Sequence, residues 1–212
     1  MDEHPILTTY KHLPAGIAEI WMKGSVRLRP LSYYRGLEDA AAGVSDEMEG
    51  RVRSHIMDHV QLPGGDPVIR ERMARHGLYQ GPNVSSWNVG VRIHGDVDDC
   101  YILCLTYEGT PGLFGDEYDA VIRIPNFVEL GRAITSAGLE FVREDSIAGE
   151  VVYDNRDVDI TKAEPPRPSA FRKRPEYAAQ KELRLIWKPR GFIQEFVDVQ
   201  SDQIARHLER IT

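Results

Sequence analysis

Apolar side chains recur along this chain in two rhythms, and the change from one to the other marks out its elements. Ile6 to Tyr10 reads as a short first strand, after which Pro14 opens a helix in which Ile17, Ile20 and Trp21 recur at helical spacing until Gly24 closes it. Val26-Arg27-Leu28-Arg29 alternates with the period of two that a strand requires. Pro30 ends that strand, and Leu31-Ser32-Tyr33-Tyr34-Arg35 begins a turn or short helix. The rhythm is loosest from Ala40 to Asn83, where Asp46-Glu47-Met48-Glu49 is acidic, Leu62 to Pro67 is a loop, and a short helix is expected at Val68 to His76.

Strands resume at Ser86 to Ile93 and at Cys100 to Tyr107, joined by the turn-forming Gly95-Asp96-Val97-Asp98-Asp99. Ala120 to Ile124 is a further strand, and Asn126 caps a helix, Phe127 to Ala137, that stops at Gly138. More strands are expected at Glu140 to Arg143 and Glu150 to Tyr153. Pro165, Pro166 and Pro168 mark a linker, and Phe171 to Tyr177 reads as a short helix leading into a strand. Glu195 to Val199 forms a strand and Asp202 to Ile211 an amphipathic closing helix. Strands and helices without regular βαβ alternation predict an α+β fold. No internal repeat or low-complexity segment interrupts it.

Composition narrows the class. A chain of 212 residues, 42% hydrophobic and 28% charged, has the balance of a soluble globular domain and buries a substantial core. One domain over 1–212 is expected, with 40–83 as a lid or recognition insert. The net charge of -7 argues against a general polyanion-binding surface. Met1-Asp2-Glu3-His4-Pro5 has no secretory character, and nowhere do enough apolar residues run together to span a bilayer, so a cytoplasmic protein without a membrane partner is expected. Cys100 and Cys104 are the only cysteines, about 13 Å apart along a strand and too far to bridge, so buried thiols are expected. The histidines are scattered. His55 and His59 have i, i+4 spacing but lack the Glu of His-Glu-x-x-His, and no metal site is expected.

Candidate chemistry concentrates at Gln180-Lys181-Glu182, polar residues at the threshold of the strand-forming run Leu183-Arg184-Leu185-Ile186-Trp187. On a strand, residues i and i+2 share a face, so Gln180 and Glu182 are expected side by side with Lys181 pointing away. This segment resembles the Gln-x-Glu variant of the signature loop and strand of ADP-ribosyltransferases. Taken with Tyr10-Lys11-His12, with Leu28-Arg29-Pro30-Leu31-Ser32-Tyr33-Tyr34, and with Lys173, Tyr177 and Glu182-Leu183-Arg184, the chain resembles a large uncharacterised bacterial family. That family's pattern is an opening Tyr-Lys-aromatic strand, an early strand leading to a loop, and a closing Lys…Tyr…Glu-x-Arg segment. The three blocks fall in the order in which the ADP-ribosyltransferase superfamily keeps its NAD-binding parts.

The resemblance implies an ADP-ribosyltransferase-like α+β fold of split antiparallel or mixed sheets with flanking helices. It also implies transfer of ADP-ribose from NAD, the substrate, to a nucleic acid or protein, in a bacterial toxin or phage-defence effector with a possible antitoxin. Cleavage of the nicotinamide glycosidic bond passes through an oxocarbenium-like state that a fixed carboxylate stabilises more than the ground state. The resemblance gives that role to Glu182 and the orienting of the acceptor to Gln180. Lys11 or His12 would contact the adenosine ribose or the phosphates, Tyr33 or Tyr34 would stack on the nicotinamide, and Ser32 would hold the pocket wall. The basic segment Arg172, Lys173, Arg174, with Arg167, would contact the acceptor. A clean Arg or His on the first strand and a Ser-Thr-Ser on the second are absent from this chain.

The same residues have structural readings. Glu182 would pair with Arg184 or Lys173 on a solvated strand face, Tyr33 and Tyr34 would be core or rim aromatics, and Lys11 and His12 an exposed strand end. On these readings the chain is a binding or regulatory module without NAD turnover; a second rival is a glycohydrolase that destroys NAD without an acceptor. Rossmann, P-loop and nucleophile-elbow signatures are missing, and apolar surroundings disfavour a cysteine nucleophile.

Overall fold

The structure is a computed structural model and describes residues 8–35, 51–55, 67–75, 92–155, 157–159 and 169–211. His59, Arg167, the proline linker, Ser86 to Gly90 and most of 40–83 lie outside the described residues. In chain order come β1 (Thr9–Leu13), α1 (Ala15–Met22), β2 (Ser25–Pro30), α2 (Leu31–Arg35), β3 (Arg51–His55), α3 (Pro67–Arg75) and β4 (Arg92–Asp96). Next are β5 (Tyr101–Thr106), β6 (Ala120–Ile124), α4 (Phe127–Ala137), β7 (Val142–Glu150), β8 (Val152–Tyr153) and β9 (Asp157–Asp159). β10 (Arg172–Lys173) is followed by a 3-10 helix over Pro175–Gln180, then β11 (Glu182–Pro189), β12 (Val197–Gln200), α5 (Asp202–Ala205) and β13 (Glu209–Arg210). The α+β class is as expected.

The main sheet has eight strands and divides. β5 pairs antiparallel with β11 along its whole length, from Glu182↔Thr106 to Trp187↔Tyr101. Its other edge is shared: β2 takes the first part, through Arg29↔Ile102 and Pro30↔Tyr101, and β1 takes the end, through Tyr10↔Thr106. Beyond β2 lies β12, and beyond β1 lie β6 and β13, so the sheet forks at β5. Among the described residues no strand pairs with 103–105 on the forked edge.

Alternation along β5 and β11 separates two apolar clusters. Tyr101, Leu103 and Leu105 with Leu183, Leu185 and Trp187 join the larger one, together with Trp21, Leu28, Leu130 and Ile134. Ile102 and Ile186 point the other way, with Leu31, Cys100 and Ala170. Each fully buried side chain of this size contributes about 1.5–3 kcal/mol through removal of apolar surface from water. Trp187 is wholly buried and still satisfied, because its indole N–H donates to Thr135 Oγ1 at 2.8 Å.

Several elements follow the sequence closely. Asn126 Oδ1 accepts from the Glu129 amide at 3.2 Å and Gly138 ends α4, as expected for this helix. Others depart from it. In α1 the buried positions are Ala18 and Trp21, while Ile17 and Ile20 face outward. The expected hairpin between β4 and β5 does not form: β4 pairs with β3, and Asp99 Oδ1 instead accepts from the amides of Ser32 (3.0 Å) and Cys100 (3.1 Å), fixing an extended crossing. His55 lies on β3, not on a helix, so the i, i+4 metal spacing has no helix to act on. The closing helix is only α5, because β13 then pairs with the open edge of β6 through Glu209↔Arg123 and Arg210↔Ile122. The two short strands expected around residues 140 to 153 are the long β7 and the short β8; β7 is long because β11 offers it partners from Leu183↔Glu150 to Trp187↔Ser146.

No helix among the described residues is long and apolar enough to cross a membrane.

Candidate active site

Where the sheet forks, a cavity of about 120 Å³ opens between β1, the end of β5, the start of β11 and the loop after β5. It is lined by Tyr10, Lys11 and His12 from β1, by Tyr34 from α2, and by Lys173, Gln180, Glu182 and Arg184 from the carboxy-terminal region. This volume is on the scale of one substituted ring, below the roughly 300–1,000 Å³ of pockets that enclose a drug-sized ligand. A larger ligand would insert one end and leave the rest outside.

Glu182 is the centre of the charged part. It is 5% exposed, and its two carboxylate oxygens are divided between two cations. Arg184 Nε donates to Oε1 at 2.6 Å and Lys173 Nζ to Oε2 at 3.1 Å. Burial alone would push the Glu182 carboxyl up, but Arg184 and Lys173 outweigh it and hold the group well below the usual carboxylate range. Both structural pairings expected of Glu182 therefore occur, but inside the protein and not on a solvated face. The placement follows from period two: Glu182, Arg184 and Ile186 share the face of β11 opposite Leu183, Leu185 and Trp187. Arg184 also donates to the Ala170 carbonyl. The Glu182 amide donates to Tyr153 Oη at 2.8 Å.

Gln180 lies beside Glu182 by a different route from the one expected. It is the last residue of the 3-10 helix, and Lys181 turns the chain through the left-handed region, with φ 42° and ψ 54°. Strand alternation does not relate the two side chains; Lys173 does, since its ammonium donates to Gln180 Oε1 at 2.7 Å as well as to Glu182. Lys173 was expected at an acceptor surface. It is instead 4% exposed, aligned on β10 by parallel pairing with β8, with its ammonium 4.8 Å from the Tyr177 ring centre. Phe171 to Tyr177 is accordingly not one helix. Arg172 and Arg174 remain half-buried, but Arg172 pairs with Asp154 and Arg174 with Glu176, so the basic segment is not an open cationic strip.

On β1 both candidates reach the site, in different ways. Lys11 Nζ donates to the Cys104 carbonyl at 2.9 Å. That carbonyl belongs to the stretch of β5 left without a strand partner at the fork. His12 Nε2 lies 2.7 Å from the Glu108 carbonyl, which can only accept, so Nε2 carries the proton and Nδ1 is the bare acceptor. Among the described residues Nδ1 is buried with no partner. Burial lowers the His12 pKa, and nearby Lys11 adds to that despite the opposing Glu108 hydrogen bond, so the ring is neutral at pH 7. Phe114 packs its ring edge-on at 4.8 Å from His12.

The second-strand residues divide. Tyr34 lines the cavity, and burial pushes its phenol well above the ordinary value. Tyr33 lies outside the lining and stacks under the Arg29 guanidinium at 3.9 Å, and Ser32 is exposed, its amide held by Asp99. Neither takes the pocket-wall or stacking place expected of it. Cys104 lines the cavity, but burial, with the Glu182 charge, pushes its thiol up to about 12; Cys100 is pushed up to about 11, so neither is a nucleophile at neutral pH. No group of three or more metal-ligating side chains occurs among the described residues.

Sequence reasoning missed Arg184 as a site residue, although alternation from Glu182 places it on the same face. It also missed Thr106, Phe114, Tyr118 and Tyr153, which carry no motif and reach the site only through sheet pairing and the loop after β5. The cavity thus combines an ionised, buried carboxylate, a neighbouring carboxamide, three cations and several aromatic faces. Such a set has the chemistry to accept an anionic ligand with a planar ring and to stabilise positive charge near Glu182. No protein-family model matches this chain, and no curated protein or solved structure matches it either.

Proposed function

We propose that this chain is an ADP-ribosyltransferase-like enzyme that uses NAD as substrate and modifies a macromolecular acceptor. The observation that carries this reading is the buried, ionised Glu182 at the cavity wall where the sheet forks, with Gln180 held beside it through Lys173. In this reading the nicotinamide end of NAD inserts into the cavity against Tyr34 and Tyr10. The bond from the ribose anomeric carbon to the nicotinamide nitrogen breaks, and its electron pair leaves with neutral nicotinamide. Glu182 stabilises the oxocarbenium-like ribose, and an acceptor oriented by Gln180 forms the new bond and releases its proton to water. A carboxylate has about four acceptor positions, so Glu182 accepts from a ribose hydroxyl without giving up Arg184 or Lys173. Lys11, at the fork, suits the phosphates, and the neutral His12 suits an uncharged hydroxyl. The acceptor is a nucleic acid or a protein, and the setting that fits is a bacterial toxin or phage-defence effector.

One observation favours a second reading. Two cations already neutralise Glu182, which weakens its field on a developing positive charge, and this suits a binding module that holds a nucleotide without turning it over. The two are separated by incubating the protein and its Glu182→Gln variant with NAD labelled on the adenylate phosphate and a bacterial lysate, followed by nuclease or protease treatment. Label transferred by the parent and lost in the variant supports the transferase and identifies the acceptor class. Intact NAD supports the binding module, and NAD loss without labelled acceptor a glycohydrolase.

A further inference from the structure

We infer that Thr106, at the end of β5, is a positioning residue that sets the Gln180–Glu182 turn and the tautomer of His12 together. This inference rests on the transferase reading for its kinetic consequence, and on geometry alone for its structural one. The Thr106 hydroxyl bonds the turn from the end of β5: Oγ1 donates to the Gln180 carbonyl at 2.7 Å and accepts from the Glu108 amide at 3.1 Å. A hydroxyl supplies one donor and two acceptor lone pairs, so both bonds are made by one group. Thr106 is buried at the cavity wall, so loss of its hydroxyl costs both partners a hydrogen bond.

Each bond controls one half of the site. The bond to Gln180 fixes the residue just before Lys181, the one non-glycine residue at positive φ among the described residues. A left-handed lysine is disfavoured by contact of its Cβ with the backbone, so the turn persists only where neighbours over-determine it. Three of those neighbours come from 106–108: the Thr106 hydroxyl, the Tyr107 amide donating to the Lys181 carbonyl at 3.4 Å, and the Glu108 carboxylate paired with the Lys181 ammonium. The turn in turn aims Gln180 Oε1 at Lys173, and so toward Glu182. The second bond, from the Glu108 amide, orients the peptide group whose residue presents its carbonyl to His12 Nε2. Residues 10–12, 106–108 and 180–182 are far apart in sequence, and Thr106 joins Glu108 in locking the last two through side chains.

Thr106→Val keeps the shape and removes the hydroxyl, and Thr106→Ser keeps the hydroxyl. With NAD and the acceptor that the labelling experiment identifies, Thr106→Val is expected to lower kcat by about ten- to a hundredfold, the size of effect that a misplacement near 1 Å produces, with KM changed less than about threefold. Thr106→Ser restores most of kcat. In the same samples, nitrogen-15 spectra of the imidazoles show one His12 tautomer, protonated at Nε2, in the parent and in Thr106→Ser, and a mixture in Thr106→Val. Parental kcat and parental His12 spectra in Thr106→Val would overturn the inference, as would equal loss in the valine and serine variants. If the parent turns over no NAD, the transferase reading fails, and the His12 spectra decide the positioning role alone.

Discussion

At the scale of single residues, the decisive group is Glu182. Its carboxylate is buried between Arg184 and Lys173, so removing it leaves two cations without their partner. Glu182→Ala is expected to destabilise the fold by about 3–5 kcal/mol, measured by urea unfolding, because two buried cations lose their shared carboxylate. Glu182→Gln retains hydrogen-bonding atoms and should cost less, while lowering ADP-ribose transfer by about a hundredfold or more. The acid dependence of stability follows from the same geometry. The Glu182 carboxyl titrates in the folded protein far below its ordinary value of 4.5, so the unfolded chain takes up the proton first. Its contribution is complete above pH 4.5 and falls away as pH drops toward the folded value. His12 adds in the same direction from higher pH: its folded pKa lies below 6.5, so stability is lost as pH falls below 6.5. Urea midpoints measured from pH 7.5 to pH 3 should decline in the parent, and the decline below pH 4.5 should be shallower in Glu182→Gln. A parallel decline in the two would show that Glu182 does not carry it.

Elements show where the sequence was legible and where it was not. Those defined by local signals are readable: the Asn126 cap and Gly138 bound α4, and the alternation of β11 puts a carboxylate and a guanidinium on one face. Elements whose partners lie far off in sequence are not readable. Gln180 and Glu182 were expected on one strand, but a short 3-10 helix and a left-handed Lys181 intervene, and the pair is restored by Lys173 from β10. Lys173 was expected to contact the acceptor with its basic neighbours; its burial depends on β8, which no local pattern near residue 173 announces. The end of α1 gives a sharper test at this scale. Gly24 has φ +79°, and a Cβ there would lie 2.2 Å from the Ser201 carbonyl oxygen, where the chain passes from β12 to α5. Gly24→Ala is therefore expected to destabilise by about 2–4 kcal/mol and to lower the melting temperature by several degrees. An unchanged melting temperature would mean that the β2–β12 wing gives way without cost.

Over the whole molecule, charge is distributed against the average. The chain carries a net charge of -7, yet Lys11, Lys173 and Arg184 face Glu182 alone across the cavity. In the transferase reading, NAD, an anion, meets the negative net charge at long range and these cations at short range. Raising ionic strength screens both, with a Debye length of about 8 Å near physiological salt. Among the three lining cations Lys11 makes no ion pair with Glu182, so the transferase reading gives it the NAD phosphates. Lys11→Gln should raise KM for NAD about tenfold, as for loss of a charge-assisted hydrogen bond, and should alter the salt dependence of KM. If KM is unchanged at every salt concentration, Lys11 serves only the Cys104 carbonyl. The fork at β5 has a consequence of another kind. A gap between side chains can be closed by enlarging one of them, but this opening begins as missing ladder between β1 and β2, before any side chain is placed. Lineages that keep the eight strands in this order would inherit the recess whatever they do with it. Substitution of the aromatic and charged lining would change its occupant, and loss of the recess itself would require a different topology.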